Sequence, residues 1–522
     1  MKMKVDLIVT NAKVYSVNEN FDIFEAFAVS EGKFVEIGTT KNIFKNFESN
    51  TVLDAKGKTV LPGFIDAHCH FYGLGMTMQQ VNLVGVLSED EMIERIQNFQ
   101  AENNASFIGG RGWDQTIWET KSFPTKEKLD KLFPNTPVAV NRIDGHAMIA
   151  NTAALKRAGI NGDTEVDGGE IEKIAGNLTG ILLDNAMNLV YDVMPKPTKA
   201  LLQKTLLDAQ EECFSYGITG VHDADLKQNI VELMQEMQEA DTLKMRIYTM
   251  VFATDSSLDY YLAKGKIKTD KLNVGAFKVY MDGALGSMGA LMKQAYENKD
   301  VKGVQVTSVE TLKKYAERIA ASDFQLNVHA IGDQANHQVL KTFVEDIKIT
   351  KDRRWRVEHA QIVDEPDFEY YKTVLPSVQP THATSDMYWA EKWIGAERMK
   401  GAYAYKKLLD LHGKLPLGTD FPIEQVNPFL TFYAAVARKD SKGFPEAGFQ
   451  MQDALSRREA IQGMTIWAAY AAFEENEKGS IEAGKFADFI VLDRDIMTVA
   501  IDEVLAAQVL KTVLGGEVVF EV

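Results

Sequence analysis

Short apolar runs rich in β-branched residues alternate with longer amphipathic stretches through most of this chain. Eight such runs, at 63–68, 219–222, 245–251, 276–281, 325–329, 356–359, 374–379 and 415–419, predict buried parallel strands. Most of the later gaps hold a helical pattern, as at 311–320 and 334–347. Repeated strand–helix units predict an α/β protein, a (β/α)₈ barrel of the TIM type. An open doubly wound sheet would call for a Gly-rich phosphate turn after an early strand, and the turns here carry histidines instead. The two ends differ from the middle. Residues 6–15, 26–29 and 34–37, and then 487–492, 509–513 and 517–520, read as strands punctuated by turns such as Glu31-Gly32-Lys33 and Gly515-Gly516. Residues 1–62 and 478–522 are therefore expected to form one small β domain, with the barrel over 63–477.

One gap breaks the rhythm. Between the first two predicted strands lies too much chain for a loop, so 72–215 is expected to be an inserted subdomain with structure of its own. The 522 residues suffice for a large core without disulfides, and two cysteines, Cys69 and Cys213, build no disulfide framework. Cys69 reads as a small buried apolar group. The formal net charge of -17 argues against a nucleic-acid partner. No apolar stretch is long enough for a membrane span, and the first residues show no signal core. The expectation is a cytoplasmic protein acting on a small molecule, with a homodimer as the common oligomer.

Histidine carries the chemistry. Of nine in the chain, six (His68, His70, His222, His329, His359 and His382) fall at or just past the end of a predicted strand. That is the end at which barrels build active sites. His68 and His70 lie two apart on a strand and share a face, which makes a partial site for zinc or a similar metal. His329, His359 and Asp420 each stand where an apolar strand stops, and four histidines with an aspartate at such positions read as metal ligands. Lys278 lies inside an apolar strand, and its neighbours leave open whether it is an ion-paired lysine or a carbamate that bridges two metals. His337 and His412 read as structural.

The motifs Leu61-Pro62-Gly63-Phe64-Ile65-Asp66-Ala67-His68-Cys69-His70, Arg142-Ile143-Asp144-Gly145-His146, Phe277-Lys278-Val279-Tyr280-Met281-Asp282-Gly283, Asn327-Val328-His329-Ala330-Ile331-Gly332-Asp333, Glu358-His359-Ala360-Gln361, Ser377-Val378-Gln379-Pro380 and Gly418-Thr419-Asp420-Phe421-Pro422 together resemble the metal-dependent amidohydrolase superfamily. So does the C-terminal segment 479–488. The branch they are most similar to is the third amidohydrolase family, which includes N-substituted formamide deformylase. The resemblance implies a distorted barrel with a β-sandwich built from both termini. It implies that His68 and His70 hold the more buried of two divalent metals, zinc by ligand type, and that His329 and His359 hold the other. It assigns Lys278 as the carbamate bridge and Asp420 as the eighth-strand ligand and base.

The remaining positions read as pocket groups. Arg142 and His146 are expected to reach a substrate carbonyl or carboxylate, with an Arg142–Asp144 ion pair as the plain alternative. Asp282 is expected to orient a ligand or substrate, Trp113 to wall an apolar pocket, with a place in the core as the equal alternative, and His222 or His382 to help polarise a carbonyl. The expected reaction is hydrolysis of a non-peptide C–N bond in an amide, formamide or cyclic amide by metal-activated water. A one-metal deaminase that releases ammonia and an inactive ligand-binding barrel are the rivals.

Overall fold

The computed structural model describes residues 2–143, 145–166 and 168–522. Asp144, and with it the Arg142–Asp144 pairing, lies outside them. The chain divides into two compact units, one made of residues 1–72 with 209–522 and one of residues 73–208.

In the first unit, seven parallel strands follow one another in chain order: Phe64–Cys69, Ile218–Leu226, Arg246–Phe252, Leu272–Tyr280, Gln325–Ala330, Arg356–His359 and Leu375–Ser377. The segment 415–420 closes the ring. Gly418 N donates to Val378 O beside the seventh strand, and Ala67 N and Asp420 N bond to Leu417 O and His68 O of the first. This is a distorted TIM barrel, with the eighth position held by backbone bonds of an irregular segment rather than a full strand. Strand residues are buried on both faces, as helix-covered parallel strands must be.

One boundary matters for function. The second strand, expected to stop at His222, runs on to Leu226 through Asp223 and Asp225. Two acidic residues look like a strand end. Here Asp223 is buried and accepts hydrogen bonds from the backbone N–H groups of Phe71 and Tyr72, so the strand continues past it. His222 therefore sits mid-strand, and Asp225 occupies the strand's C-terminal end.

Besides a two-stranded pairing of Met3–Lys4 with Phe47–Glu48, the termini of the same unit build two larger sheets. One has the order Lys33–Gly38, Ala26–Ser30, Leu7–Thr10, Val52–Asp54; the other runs Glu517–Glu521, Val509–Leu514, Phe489–Leu492, Thr59–Pro62, Lys13–Tyr15, Ile23–Phe24. Phe27 and Phe34 from the first and Phe489, Val60 and Val513 from the second share one core. The edge-to-face pair Phe27–Phe489, at 5.0 Å between centroids, spans the sheets. Arg246, opening the third barrel strand, makes a two-pronged ion pair with Asp488 and so ties barrel to sandwich.

Residues 73–208 form a mixed six-stranded sheet in the order Val81–Asn82, Ile108–Trp113, Val138–Arg142, Ala147–Ala150, Asn177–Asp184, Gly169–Ile174. Its longest helix lying wholly within the unit, Glu89–Asn103, is capped by Ser88, carries Glu89, Asp90 and Glu91 in its first turn, and ends on the left-handed Asn104. Trp113 is wholly buried in this unit's core, and its indole N–H donates to Val140 O. Of the two places expected for Trp113 it takes the core rather than a pocket wall, because the apolar ring and its single donor are both satisfied inside the sheet. Among the described residues, no helix is long and apolar enough to cross a membrane.

Candidate metal centre

The first strand delivers Asp66, His68 and, one residue past its end, His70 to one face. Asp66 fixes the backbone there. Its carboxylate accepts from His68 N, Thr419 N and the Thr419 hydroxyl, locking the first strand to the closing segment that bears Asp420. His68 Nδ1 lies 2.6 Å from Glu358 Oε2, both side chains fully buried. A carboxylate accepts only, so Nδ1 carries the proton and Nε2 is left with its lone pair turned inward. His359 is set the same way by Gln379 Oε1 at 2.7 Å from its Nδ1. His70 Nδ1 stands 3.5 Å from Asp225, which also accepts the Tyr280 hydroxyl at 2.7 Å.

The inward atoms converge. One donor atom each from His68, His359 and Asp420 lie within 4.8 Å of one another, and all three residues are buried. Asp420 Oδ1 is 3.1 Å from His70 Nε2 and 3.5 Å from His68 Nε2, yet makes no hydrogen bond. His329 Nε2 is likewise buried without a hydrogen bond, and its ring centre is 4.5 Å from that of His359. Lone pairs crowded together with no proton shared among them suit a cation at their centre, and imidazole with carboxylate is a ligand set for a divalent ion. The donor set therefore fits a metal.

Lys278 completes the floor. It is fully buried, 3.3 Å from His68 Nε2, and has no ion-pair partner among the described residues. Burial pushes its pKa down, toward the neutral amine. Burial alone would raise Glu358, but His68, with Arg356 and Lys278 behind it, outweighs burial and holds the carboxyl at about 2. Glu358 is thus anionic at neutral pH.

Backbone strain gathers here too. Asp225, His359 and Asp420 have φ of 57°, 75° and 63°, a region that costs a non-glycine residue about 1–3 kcal/mol. At His359 the strain has a visible use. Neighbouring strand residues normally point to opposite faces, and yet Glu358 and His359 both reach His68, at 2.6 Å and at 4.7 Å between ring centres.

A cavity of about 410 Å³ opens over this floor, lined by His70, His329, His359, His382 and Asp420 together with Tyr280 and residues of the segments that follow the barrel strands. His382, on the helix Pro380–Asp386, places Nε2 3.4 Å from Asp420 Oδ2 and Nδ1 3.2 Å from Glu424 Oε1. Two expected pocket groups stand elsewhere. His222 does not line the cavity: its buried ring accepts from Arg356 at 3.1 Å, and burial with Arg356 pushes its pKa well down. Asp282 is taken up structurally, accepting from the N–H groups of Leu291, Ile331 and Gly332, with His329 Nε2 3.5 Å away. Three backbone donors leave it little capacity for a substrate. Within the 73–208 unit, Arg142 pairs with Asp114 and Gln115, and His146 with Asp184.

The sequence reading assigned no role to Glu358, Asp225, Gln379 or Glu424. Glu358 had a signal, being a carboxylate inside an apolar strand run. The others become visible only through contacts with residues distant in the chain.

Comparisons with known proteins agree with this geometry. The chain is 31% identical to the "Putative amidohydrolase YtcJ" of Bacillus subtilis, covering 97% of this chain and 98% of that one. It is 28% identical to the N-substituted formamide deformylase of Arthrobacter pascens, over 99% and 98%. A crystal structure titled as an uncharacterized metal-dependent hydrolase from Pyrococcus furiosus superposes with a TM-score of 0.80 at 27% identity, covering 94% of this chain and all of that one. The family model described as "Amidohydrolase family" matches residues 51–520, sandwich strands and barrel together, and the chain belongs to that family of metal-dependent hydrolases.

Proposed function

We propose that this enzyme hydrolyses a non-peptide C–N bond, in an amide, formamide or cyclic amide, at a centre of two divalent ions, zinc by ligand type. The observation that carries the reading is the convergence of His68, His359 and Asp420 beside the buried Lys278. His68 and His70 would hold one ion and His329 and His359 the other, with Lys278 as the carbamate bridge and Asp420 as the eighth-strand ligand and base. Ions held there supply a Lewis acid and lower the pKa of water.

The chain's own groups do the rest. Lys278, whose pKa burial pushes down, can add as its neutral amine to carbon dioxide: the N–C bond forms, one proton leaves, and the resulting carbamate offers two oxygens. Asp420 takes a proton from the attacking water. His382, 3.4 Å from Asp420, carries it toward the departing nitrogen, with Glu424 orienting its ring. The expectation that Arg142 and His146 reach a substrate carbonyl or carboxylate is tested by KM in the alanine variants at unchanged metal content, a raised KM supporting it.

A one-ion deaminase is the second reading, favoured by the compactness of the His68–His359–Asp420 trio. Metal content per chain after incubation with zinc and bicarbonate, with release of formate, amine and ammonia followed over a formamide and N-acyl panel, separates the two. Two equivalents with amine release support the hydrolase, and one equivalent with ammonia release replaces it.

A further inference from the structure

The cavity over the metal-binding floor has walls of two kinds. Ala284, Leu285, Ile331 and Ile423 give it apolar surface, and Asp386 and Glu424 give it carboxylates. Among the described residues, no lysine or arginine lines it. The carboxylates are only half engaged. Glu424 Oε1 accepts from His382 Nδ1 at 3.2 Å and from the Ser385 hydroxyl at 2.7 Å, while Oε2 has no partner among the described residues. Asp386 Oδ2 accepts from Gln361 and Tyr403, both at 2.8 Å, and its Oδ1 has no side-chain hydrogen bond among the described residues.

We infer that the substrate is a neutral or amine-bearing amide of an apolar group, and that substrates with a free carboxylate, N-acyl amino acids among them, are excluded. This rests on the reading of the cavity as the hydrolase site. A site built for a carboxylate presents a guanidinium fork or an ammonium to it. Here a carboxylate at the end of the substrate away from the metal floor meets the carboxyl groups of Glu424 and Asp386 with no lysine or arginine among the described lining residues, and His382 is already held between Asp420 and Glu424, which is the repulsive element that specificity requires. An ammonium or N–H group gains Glu424 Oε2 as an acceptor, and an aryl or alkyl group gains Leu285, Ile331 and Ile423.

The test uses the zinc-loaded full chain and three benzohydroxamic acids that share one metal-binding head and differ only in a para methyl, aminomethyl or carboxylate group. Binding is measured by calorimetry. The aminomethyl and methyl compounds are expected to bind at least about 30-fold tighter than the carboxylate, and Glu424→Gln is expected to shrink the aminomethyl-to-carboxylate ratio about tenfold. Equal binding of all three, or tightest binding of the carboxylate, overturns the inference. A parallel kcat/KM comparison of the three matched N-formylbenzylamines separates the two claims. Charge-ranked hydroxamate binding without turnover of any formamide would sink the C–N hydrolase reading and leave the charge preference standing. Failure of all three hydroxamates to bind would sink the metal-site reading and the inference with it.

Discussion

Replacing Glu358 by glutamine should weaken metal binding about tenfold while leaving the fold intact. Glu358 Oε2 is 2.6 Å from His68 Nδ1, both side chains are fully buried, and Glu358 Oε1 stands 3.6 Å from Arg356. Glutamine keeps an acceptor in nearly the same volume but loses the charge. Hydrogen bonds to charged groups contribute about 1.5–3 kcal/mol and neutral ones about 0.5–1.5. The difference, about 1–1.5 kcal/mol, is close to a tenfold change in an equilibrium constant. It falls on the metal because a less basic His68 Nε2 is the poorer ligand, and loss of such outer partners typically costs about 10–100-fold in affinity. Glu358→Ala should do more, removing the acceptor and leaving Arg356 buried without its acid, a loss of up to about 3–5 kcal/mol in stability. The lower end is expected, because Arg356 also donates to Ala67 O and Ala471 O. The assay is competition for zinc against a chelator of known affinity, with urea unfolding of the metal-free variants alongside. Unchanged zinc affinity in Glu358→Gln would refute the argument. So would a fall in affinity matched by an equal fall in the stability of the metal-free protein, since that would mark a purely structural role.

Three further outcomes follow from the same geometry. Lys278→Ala should lose the second equivalent of metal, and short carboxylates such as acetate should restore it; two equivalents bound normally without them would end the carbamate reading. Asp420→Asn should lower kcat by about 10²–10⁴-fold, the usual reach of a general base, with an unchanged unfolding midpoint, because asparagine tolerates the φ of 63° found there. Away from the site, His412 is buried, and burial together with Lys351 and Lys414 brings its pKa down to about 3 from 6.5. The unfolded chain therefore binds a proton that the folded chain refuses between those values. The stability this contributes is complete above pH 6.5 and is lost as pH falls, by about 2 kcal/mol from pH 6.5 to 5. His412→Leu should remove that part of the slope in denaturant titrations, and an unaltered slope would show that the ring is not held neutral.

The fold was legible where periodicity reported burial. Parallel strands covered by helices must be apolar along their whole length, and 276–281 or 325–329 announce themselves on that ground alone. The reading faltered where a polar residue was buried for a structural reason. Asp223 looked like a strand end because nothing in its neighbourhood shows that the N–H groups of Phe71 and Tyr72 come to meet its carboxylate. The same error moved His222 to a strand end and hid Asp225, which holds that place.

The candidate ligands were legible for a related reason. A histidine at the end of an apolar strand needs no partner elsewhere in the sequence to look out of place, so His68, His70, His329 and His359 could be picked one at a time. The groups that orient them could not. His68 and Glu358 are separated by 290 positions, and His359 and Gln379 by 20, and it is the closing of the barrel that makes them neighbours. Glu358 offers the general lesson. An acid in a fully buried strand costs several kcal/mol if left alone, so its presence in Arg356–His359 already required a cationic or proton-donating partner inside the barrel. Of the residues known to point there, His68 and Lys278 were the candidates. Counting which buried charges demand a partner would therefore have narrowed the outer layer of the site to a few pairings before any distance was measured.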